Sequence, residues 1–275
     1  MSLLALGLAA IAGVAAGVLA GLFGIGGGAV LVPLLYVLLE RAFDAPASSV
    51  TVVAHATSLA IIVPTAVSAM LRYQASSLIP WRIVGIMGMA AAVVALLVSQ
   101  FTPAIPQDVL RGAFAIFLVT VASRMLRLRP ARGSVTVEEG GPERTSPVAL
   151  VLGGSAVGVV SAALGVGGGT LAIPVLMNVA KLDVRRVAAA SMGVVAIAAL
   201  AGSIGYLTVQ PGEVPAGTIG CVFLPGVLVL TPGAIIGARF GADLNARIAP
   251  DLLRRLFALL LFTVAARLVF GLVAG

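Results

Sequence analysis

The chain is a succession of long apolar stretches with few polar residues between them. Most of these stretches approach the roughly 20 residues that an α-helix needs to cross a bilayer. None alternates polar and apolar side chains over short segments, as the strands of a membrane β-barrel do. The pattern therefore predicts an all-α polytopic membrane protein with ten helical segments, at residues 3–23, 29–39, 50–71, 83–101, 109–125, 147–164, 170–180, 187–207, 214–236 and 252–270.

Two of these segments are short, and each begins directly after a glycine cluster. Gly24-Ile-Gly-Gly-Gly precedes the second segment, and a near copy, Gly165-Val-Gly-Gly-Gly, precedes the seventh. A helix of the length of segment 29–39 spans about 17 Å, roughly half of the hydrocarbon core. A short, glycine-interrupted helix at the same place in both halves is a pointer to the binding site of a transporter. We therefore predict a broken helix after each glycine-rich loop.

The two halves of the chain repeat each other. A shift of 141 residues superposes six glycines and Pro33 on six glycines and Pro174, and a shift of 133 pairs Ser58 with Ser191. A shift of 143 pairs the sequence around Asp108 with that around Asp251. Such periodicity indicates a duplicated structural unit. We predict an N-terminal repeat (1–126), a polar cytoplasmic linker (127–146) and a C-terminal repeat (147–275).

Composition supports the membrane assignment and limits the partners. Of the 275 residues, 60% are hydrophobic and 10% are charged, whereas soluble domains carry about 25% charged residues. The net charge of +7 is attributed to cytoplasmic loops, so we expect the lipid bilayer and no nucleic acid as a partner. The single cysteine, Cys221, excludes an internal disulfide and a cysteine metal cluster. We expect no cofactor and no bound metal.

The distribution of Lys and Arg predicts the orientation of the segments. If the linker is cytoplasmic and each segment crosses once, all but three of the 17 basic residues lie on the cytoplasmic side, the exceptions being Arg41, Arg111 and Arg267. Five crossings per repeat is an odd number, so the repeats are inverted with respect to the membrane. Both termini are then extracytoplasmic. We expect a multi-pass protein of a cell membrane such as the bacterial inner membrane.

The backbone of the two glycine clusters is the first candidate binding site. The amides at the start of a half-helix carry the positive end of its dipole and favour an anion, and glycine lets the backbone approach it closely. A dinucleotide-binding loop would need a preceding strand, and tight helix packing without a ligand is the structural alternative. The residues proposed to bind the anion are Gly26, Gly27, Gly28, Gly167, Gly168 and Gly169. The other spaced glycines, such as Gly13 and Gly17, are interpreted as helix-packing faces.

Four side chains in the third and eighth segments are the remaining candidates. His55 is the only histidine, and within a membrane it is able to donate to an anion or to carry a coupling proton. The alternative is a histidine at the membrane interface. Thr57, Ser58 and Ser191 supply hydroxyl donors, unless they bond to the backbone of their own helix.

Charged residues and tyrosines near the segment ends have simpler interpretations. Arg111 is expected to reach the headgroups or to form a rim that attracts anions, and Tyr206 is expected to be an interfacial anchor. No Asp or Glu lies in the middle of a segment, which favours an anionic substrate. Catalysis needs a base close to a nucleophile, and the lone His55 has no acidic partner near it in the sequence. We therefore expect a protein that is not an enzyme.

At this point the sequence resembles the sulfite exporter TauE/SafE family of membrane permeases. The resemblance rests on Gly24-Ile-Gly-Gly-Gly with Pro33, on its copy with Pro174, and on Thr57-Ser58-Leu59. It implies transport of sulfur-containing oxyanions such as sulfite, thiosulfate or organosulfonates. The family's Gly-Thr-Ser signature is Ala56-Thr57-Ser58 here and Ala189-Ala190-Ser191 in the second half, so one hydroxyl is missing at Ala190.

The predicted function is secondary transport of a small sulfur-containing oxyanion by alternating access. Export is favoured by the resemblance alone. A passive anion channel and an uptake permease for a related anion such as thiosulfate are the alternatives. The sequence leaves open proton coupling, a homodimer and the identity of the anion.

Overall fold

The computed structural model describes residues 3–23, 26–43, 45–74, 79–127, 146–182, 184–209, 212–245 and 250–274. Gly24 and most of the predicted linker lie outside these residues. The described residues form ten α-helices and one two-stranded antiparallel hairpin. The helices are α1 (Leu3–Phe23), α2 (Gly28–Ala42), α3 (Val50–Gln74), α4 (Trp81–Phe101), α5 (Gln107–Arg127), α6 (Pro147–Leu164), α7 (Gly169–Asn178), α8 (Val184–Thr208), α9 (Leu224–Asn245) and α10 (Pro250–Ala274). Six of them are long and apolar enough to cross a membrane within the described residues.

The prediction is wrong at the start of the ninth helix. Residues 214–223 were assigned to a helix, but they contain strands β1 (Thr218–Ile219) and β2 (Val222–Phe223), and α9 begins at Leu224. Gly217 and Gly220 have φ angles of +86° and +57°, which glycine adopts without a steric cost. Gly220 forms the turn between the strands with Cys221, and Gly217 directly precedes β1. The hairpin is as apolar as a helix, so hydropathy alone did not reveal it.

Helices α3 and α8 form the centre of the molecule. In an 18-residue apolar stretch of each span, 78% of the residues are buried for Val50–Arg72 and 72% for Arg186–Thr208, against 39% or less for the other four spans. The other long helices therefore surround α3 and α8 and present their outer faces to the lipid.

The two halves of the chain interlock through glycine faces. A β-carbon on Gly13 would lie 2.7 Å from the carbonyl oxygen of Leu230, so α1 and α9 pack backbone to backbone. A β-carbon on Gly154 of α6 would likewise clash with the carbonyl oxygen of Met87 on α4, so these two helices also pack backbone to backbone. The small-residue faces are thus packing surfaces, as the sequence predicted, and each joins a helix of one half to a helix of the other.

These contacts fix the directions of the helices. Along α1 and α9, the glycines at 13, 17 and 21 meet residues 230, 234 and 238 in turn, so the two helices are parallel. Helix α3 runs in the same direction, because Arg72 pairs with Asp243 while Thr57 lies near Gly226. Helices α4, α6 and α8 are parallel to one another, because residues 193 and 202 meet 84 and 95, and residues 154 and 158 meet 87 and 91. They run opposite to α3, because Gly193 lies near Met70 and Gly202 lies near Leu59.

The hairpin packs against α3 and α8. The amide of Cys221 donates to the carbonyl of Tyr206 at 2.9 Å, and the Tyr206 hydroxyl donates to the carbonyl of Ala162 at 2.8 Å. Tyr206 is completely buried, so its interpretation as an interfacial anchor is wrong. Its hydroxyl ties α8 to the last turn of α6, directly before the second glycine cluster.

Candidate functional site

The two glycine clusters meet in the middle of the molecule. We call residues 24–27 the first glycine loop, of which Gly26 and Gly27 are described, and residues 165–168 the second. A β-carbon on Gly26 would lie 2.8 Å from Cγ1 of Val195, and one on Gly167 would lie 3.0 Å from the same atom. Both positions also face Ile62. Ile62 and Val195 lie at the midpoints of α3 and α8, so both loops lie halfway along the two central helices.

The two loops are in direct contact with each other. A β-carbon on Gly28 would lie 2.7 Å from the carbonyl oxygen of Gly165 and 2.7 Å from the carbonyl carbon of Val166. Helices α2 and α7 begin here, after Gly27 and Gly168, which have left-handed φ angles of 77° and 75°. No side chain caps either helix. The first-turn amides of two half-helices therefore converge on the middle of the molecule.

Ser58 and Ser191 bond to the backbone of their own helices in the same way. The Ser58 hydroxyl lies 3.1 Å from the His55 carbonyl, and the Ser191 hydroxyl lies 3.1 Å from the Ala188 carbonyl. The Ser58 hydroxyl also donates to the carbonyl of Gly165. Ser58 therefore fastens α3 to the second glycine loop. Because a serine hydroxyl has one hydrogen, Ser58 has none left to donate to a substrate while these bonds are formed.

Thr57 is hydrogen-bonded to the hairpin. Its hydroxyl oxygen accepts a hydrogen bond from the backbone amide of Phe223 at 2.9 Å. Both residues are buried, so this bond joins β2 to α3 away from water. The hairpin explains why Thr57 has a hydroxyl and its repeat counterpart Ala190 has none.

We expect Thr57→Val to lower stability, because it leaves the buried Phe223 amide without an acceptor. A buried unsatisfied donor costs about 1–3 kcal/mol, which thermal unfolding in detergent would register as a lower Tm. Thr57→Ser retains the hydroxyl and is the matched control. Equal melting temperatures for the Val and Ser variants would contradict this role.

His55 lies beside the second glycine loop and is completely buried, which contradicts the alternative of a histidine at the membrane interface. A β-carbon on Gly165 would lie 2.6 Å from the Cα atom of His55. The Nε2 atom lies 2.6 Å from the hydroxyl of Tyr36 on α2. The backbone of Ala163 is close enough to interact with the ring, but Nδ1 has no hydrogen-bond partner.

Tyr36, whose hydroxyl is hydrogen-bonded to His55, was not predicted as a site residue from the sequence. Its ring is covered on another side by Arg111, whose guanidinium carbon lies 5.5 Å from the ring centroid. Arg111 donates to Glu40 at 2.9 Å and to the hydroxyl of Thr51 at 2.9 Å. Arg111 is therefore bound to α2 and α3 and is not a free cation at the headgroups. The signal in the sequence was a tyrosine within an otherwise apolar half-helix.

Unpaired polar atoms gather at the second glycine loop. Among the described residues, four buried side-chain atoms have no hydrogen-bond partner, and three of them are His55 Nδ1, Ser161 Oγ and Thr170 Oγ1. Ser161 is on the last turn of α6 before the loop, and Thr170 is on the first turn of α7 after it. Buried polar atoms are normally satisfied. The repeat counterparts of the three residues are Ala188, Ala20 and Ala29, so this polarity belongs to one loop only.

The neighbourhood of the loops carries no formal charge. Helices α6 and α7, which flank the second loop, contain no Asp, Glu, Lys or Arg, and neither does α3 between Val50 and Leu71. The same is true of α8 between Val187 and Thr208. The nearest atoms to the loop glycines come from residues such as Ile62, Val195 and Val157. The middle of the molecule is an apolar environment with a small number of neutral donors.

Comparison with known proteins agrees with this architecture. Residues 9–268 match the sequence profile of the family described as "Sulfite exporter TauE/SafE". The chain belongs to the TauE/SafE family. This TauE/SafE protein is accordingly a multi-pass membrane transporter, and the glycine loops at its centre lie within the matched region.

Two relatives of this TauE/SafE protein carry transporter names. It is 28% identical over 263 residues to the "Probable membrane transporter protein" of Haemophilus influenzae, which covers 95% of this chain and 97% of the relative. It is 30% identical over 244 residues to the "Probable membrane transporter protein MJ0441" of Methanocaldococcus jannaschii, which covers 87% of this chain and 86% of the relative. No solved structure matches the chain significantly.

Proposed function

We propose that this protein is a secondary transporter that binds a small sulfur-containing oxyanion, such as sulfite or an organosulfonate, at the second glycine loop. The observation that carries the proposal is the group of unpaired buried atoms on His55, Ser161 and Thr170 around that loop. An oxyanion would accept hydrogen bonds from these groups and from the amides at the start of α2 and α7. The predicted glycines, Gly26 to Gly28 and Gly167 to Gly169, then act through their backbone.

In this proposal His55 is a neutral donor to the anion. The buried Tyr36 hydroxyl has one hydrogen, and His55 Nε2 is the acceptor that the structure places next to it. If Tyr36 donates to Nε2, the ring of neutral His55 carries its hydrogen on Nδ1, the unpaired atom. Tyr36 thereby orients His55. A coupling proton carried by His55 is the competing role.

Alternating access follows if the two repeats are inverted with respect to the membrane. The directions of the helices support this arrangement, because α1, α3 and α9 run opposite to their counterparts α6, α8 and α4. The site then lies near the bilayer midplane, between two broken helices, as in other inverted-repeat transporters. Rocking of one repeat against the other would expose the loops to each side in turn. The positive-inside rule favours an orientation with both termini outside the cytoplasm, and we propose a cell membrane such as the bacterial inner membrane.

The alternative functions predict different fluxes across the membrane. An exporter and an uptake permease differ only in the direction of the net flux, and export rests on the family's name alone. A passive anion channel would give unitary currents and no exchange. An intramembrane enzyme that used a hydroxyl nucleophile would need a carboxylate to orient His55 as its base, and residues 50–71, 147–178 and 187–208 contain no Asp or Glu.

The proposal is tested by flux into proteoliposomes. We expect saturable uptake of radiolabelled sulfite that is accelerated by unlabelled sulfite inside the vesicles, because a carrier returns faster when it is loaded. Protein-free liposomes are the control. Flux that rises linearly with concentration and shows no acceleration would identify a channel and overturn the carrier.

A further inference from the structure

We infer that the site selects anions by charge and takes monovalent oxyanions, such as hydrogen sulfite and alkylsulfonates, in preference to divalent ones. This inference rests on the proposed function and names the charge class of its substrate. It is based on the amount of positive charge at the N-termini of α2 and α7, which meet at the loops.

The positive charge at the loops comes from helix dipoles. Helices α2 and α7 have 15 and 10 residues, and both begin where the loops touch. The N-terminus of a helix corresponds to about half of a positive elementary charge, so two N-termini supply about one. The unpaired His55 Nδ1, which is completely buried, and the hydroxyl of the fully buried Ser161 add donors without adding net charge.

In the described part of the chain, none of the atoms nearest to the loop glycines belongs to a Lys or Arg that could neutralise a second negative charge. Among the described residues, the nearest arginine along the polar contacts is Arg111, and it is separated from the loop by the rings of Tyr36 and His55. Its charge is already paired with Glu40. The other titratable side chains that pack around the loop are Tyr206, whose hydroxyl donates to Ala162, and the buried Cys221 of the hairpin. Neither is a cation.

The cost of burying an ion makes this difference in charge decisive. The desolvation cost rises with the square of the charge, so a dianion costs roughly four times as much as a monoanion of the same size. The dipoles of α2 and α7 offset one negative charge and leave the second unpaired in an apolar region. Sulfate and the sulfite dianion should therefore bind weakly, and hydrogen sulfite and methanesulfonate well.

The test is competition in proteoliposomes that take up radiolabelled sulfite, from mildly acidic to mildly alkaline pH. We expect methanesulfonate to inhibit at concentrations at least about tenfold lower than sulfate does, a difference of about 1.4 kcal/mol. We expect the apparent affinity for total sulfite to fall as hydrogen sulfite loses its proton. Inhibition by methanesulfonate, which stays monovalent, should not change over the same range.

The possible failures are distinguishable. Sulfate that competes as well as methanesulfonate would overturn charge selection and leave the transporter in place. Methanesulfonate inhibition that falls with rising pH in parallel with sulfite uptake would assign the proton to the protein, which also overturns this inference. Absence of saturable flux for every anion would overturn the proposed function itself.

Discussion

Gly28→Ala is expected to reduce transport by roughly a hundredfold, the order of loss seen when a preorganised site is displaced by about 1 Å. The added β-carbon would lie 2.7 Å from two backbone atoms of the second glycine loop, the carbonyl oxygen of Gly165 and the carbonyl carbon of Val166. Backbone cannot rotate away as a side-chain tip can, so the loops must move apart. Gly28 is the first residue of α2, and this movement also displaces its amides from the proposed anion.

The matched control is Gly85→Ala. Gly85 is on the second turn of α4, and apart from the adjacent backbone of its own helix no described atom lies within 4 Å of the position of its added β-carbon. Uptake of sulfite by the two purified variants, compared at equal amounts of protein with the same gel-filtration profile, measures the effect. If the Gly28 variant transports as fast as the Gly85 variant, contact between the loops is not required for function.

His55→Gln is expected to raise the substrate concentration at half-maximal transport by about tenfold or more, which corresponds to the loss of about 1.4 kcal/mol of binding. The terminal amide of glutamine reaches the position of Nε2, next to the Tyr36 hydroxyl, and leaves the loop side empty. Asparagine places its amide nitrogen near the position of Nδ1. His55→Asn should therefore retain more of the affinity than His55→Gln, although it gives up the bond of 2.6 Å to Tyr36.

The relative affinities of the glutamine and asparagine variants distinguish a histidine that donates to the anion from a structural histidine and from a proton carrier. A merely structural histidine would tolerate glutamine at least as well as asparagine, because glutamine keeps the contact with Tyr36. A proton carrier would lose its pH dependence in both variants, since neither amide titrates. Tyr36→Phe is the third variant to be measured. It frees the ring to exchange the hydrogen between its nitrogens, and should weaken binding while leaving the maximal rate similar.

The helical pattern was readable from the sequence because each span is long, apolar and bounded by charges. The bounds of α1 and α6 agree with the prediction at both ends, and the two short helices begin after the glycine clusters as expected. The hairpin before α9 was missed because its residues are mostly apolar and its turn depends on the positive φ angle of Gly220. Such local backbone geometry leaves no trace in hydropathy.

Only part of the candidate site could be predicted from the sequence. The glycine clusters and Ser58 were found because they are duplicated, and duplication was the strongest signal in the chain. Thr57 shows the limit of that signal, since the residue that it serves, Phe223, lies on a hairpin 166 positions away. Ser161 and Thr170 were overlooked because they have alanine at the corresponding positions of the first repeat. The asymmetric residues were the informative ones at this site.

The central claim is that an anion binds at the second glycine loop, and cysteine protection at Thr170 tests it most directly. The native Cys221 is buried, and burial raises the pKa of its thiol to about 12, so it remains unreactive as a background. Thr170→Cys would place a thiol on the first turn of α7, where the hydroxyl oxygen is buried and unpaired in this conformation. Alternating access would open the loop to a thiol reagent, and labelling of the wild-type chain, which carries Cys221 alone, gives the background. Ser146→Cys, at the exposed start of α6, is the control.

We expect methanesulfonate to slow modification of Thr170→Cys by a small thiol reagent, at the concentrations that inhibit sulfite uptake. Modification of Ser146→Cys should not change. Equal rates at Thr170→Cys with and without methanesulfonate, in a variant that still transports, would contradict a binding site at the second glycine loop.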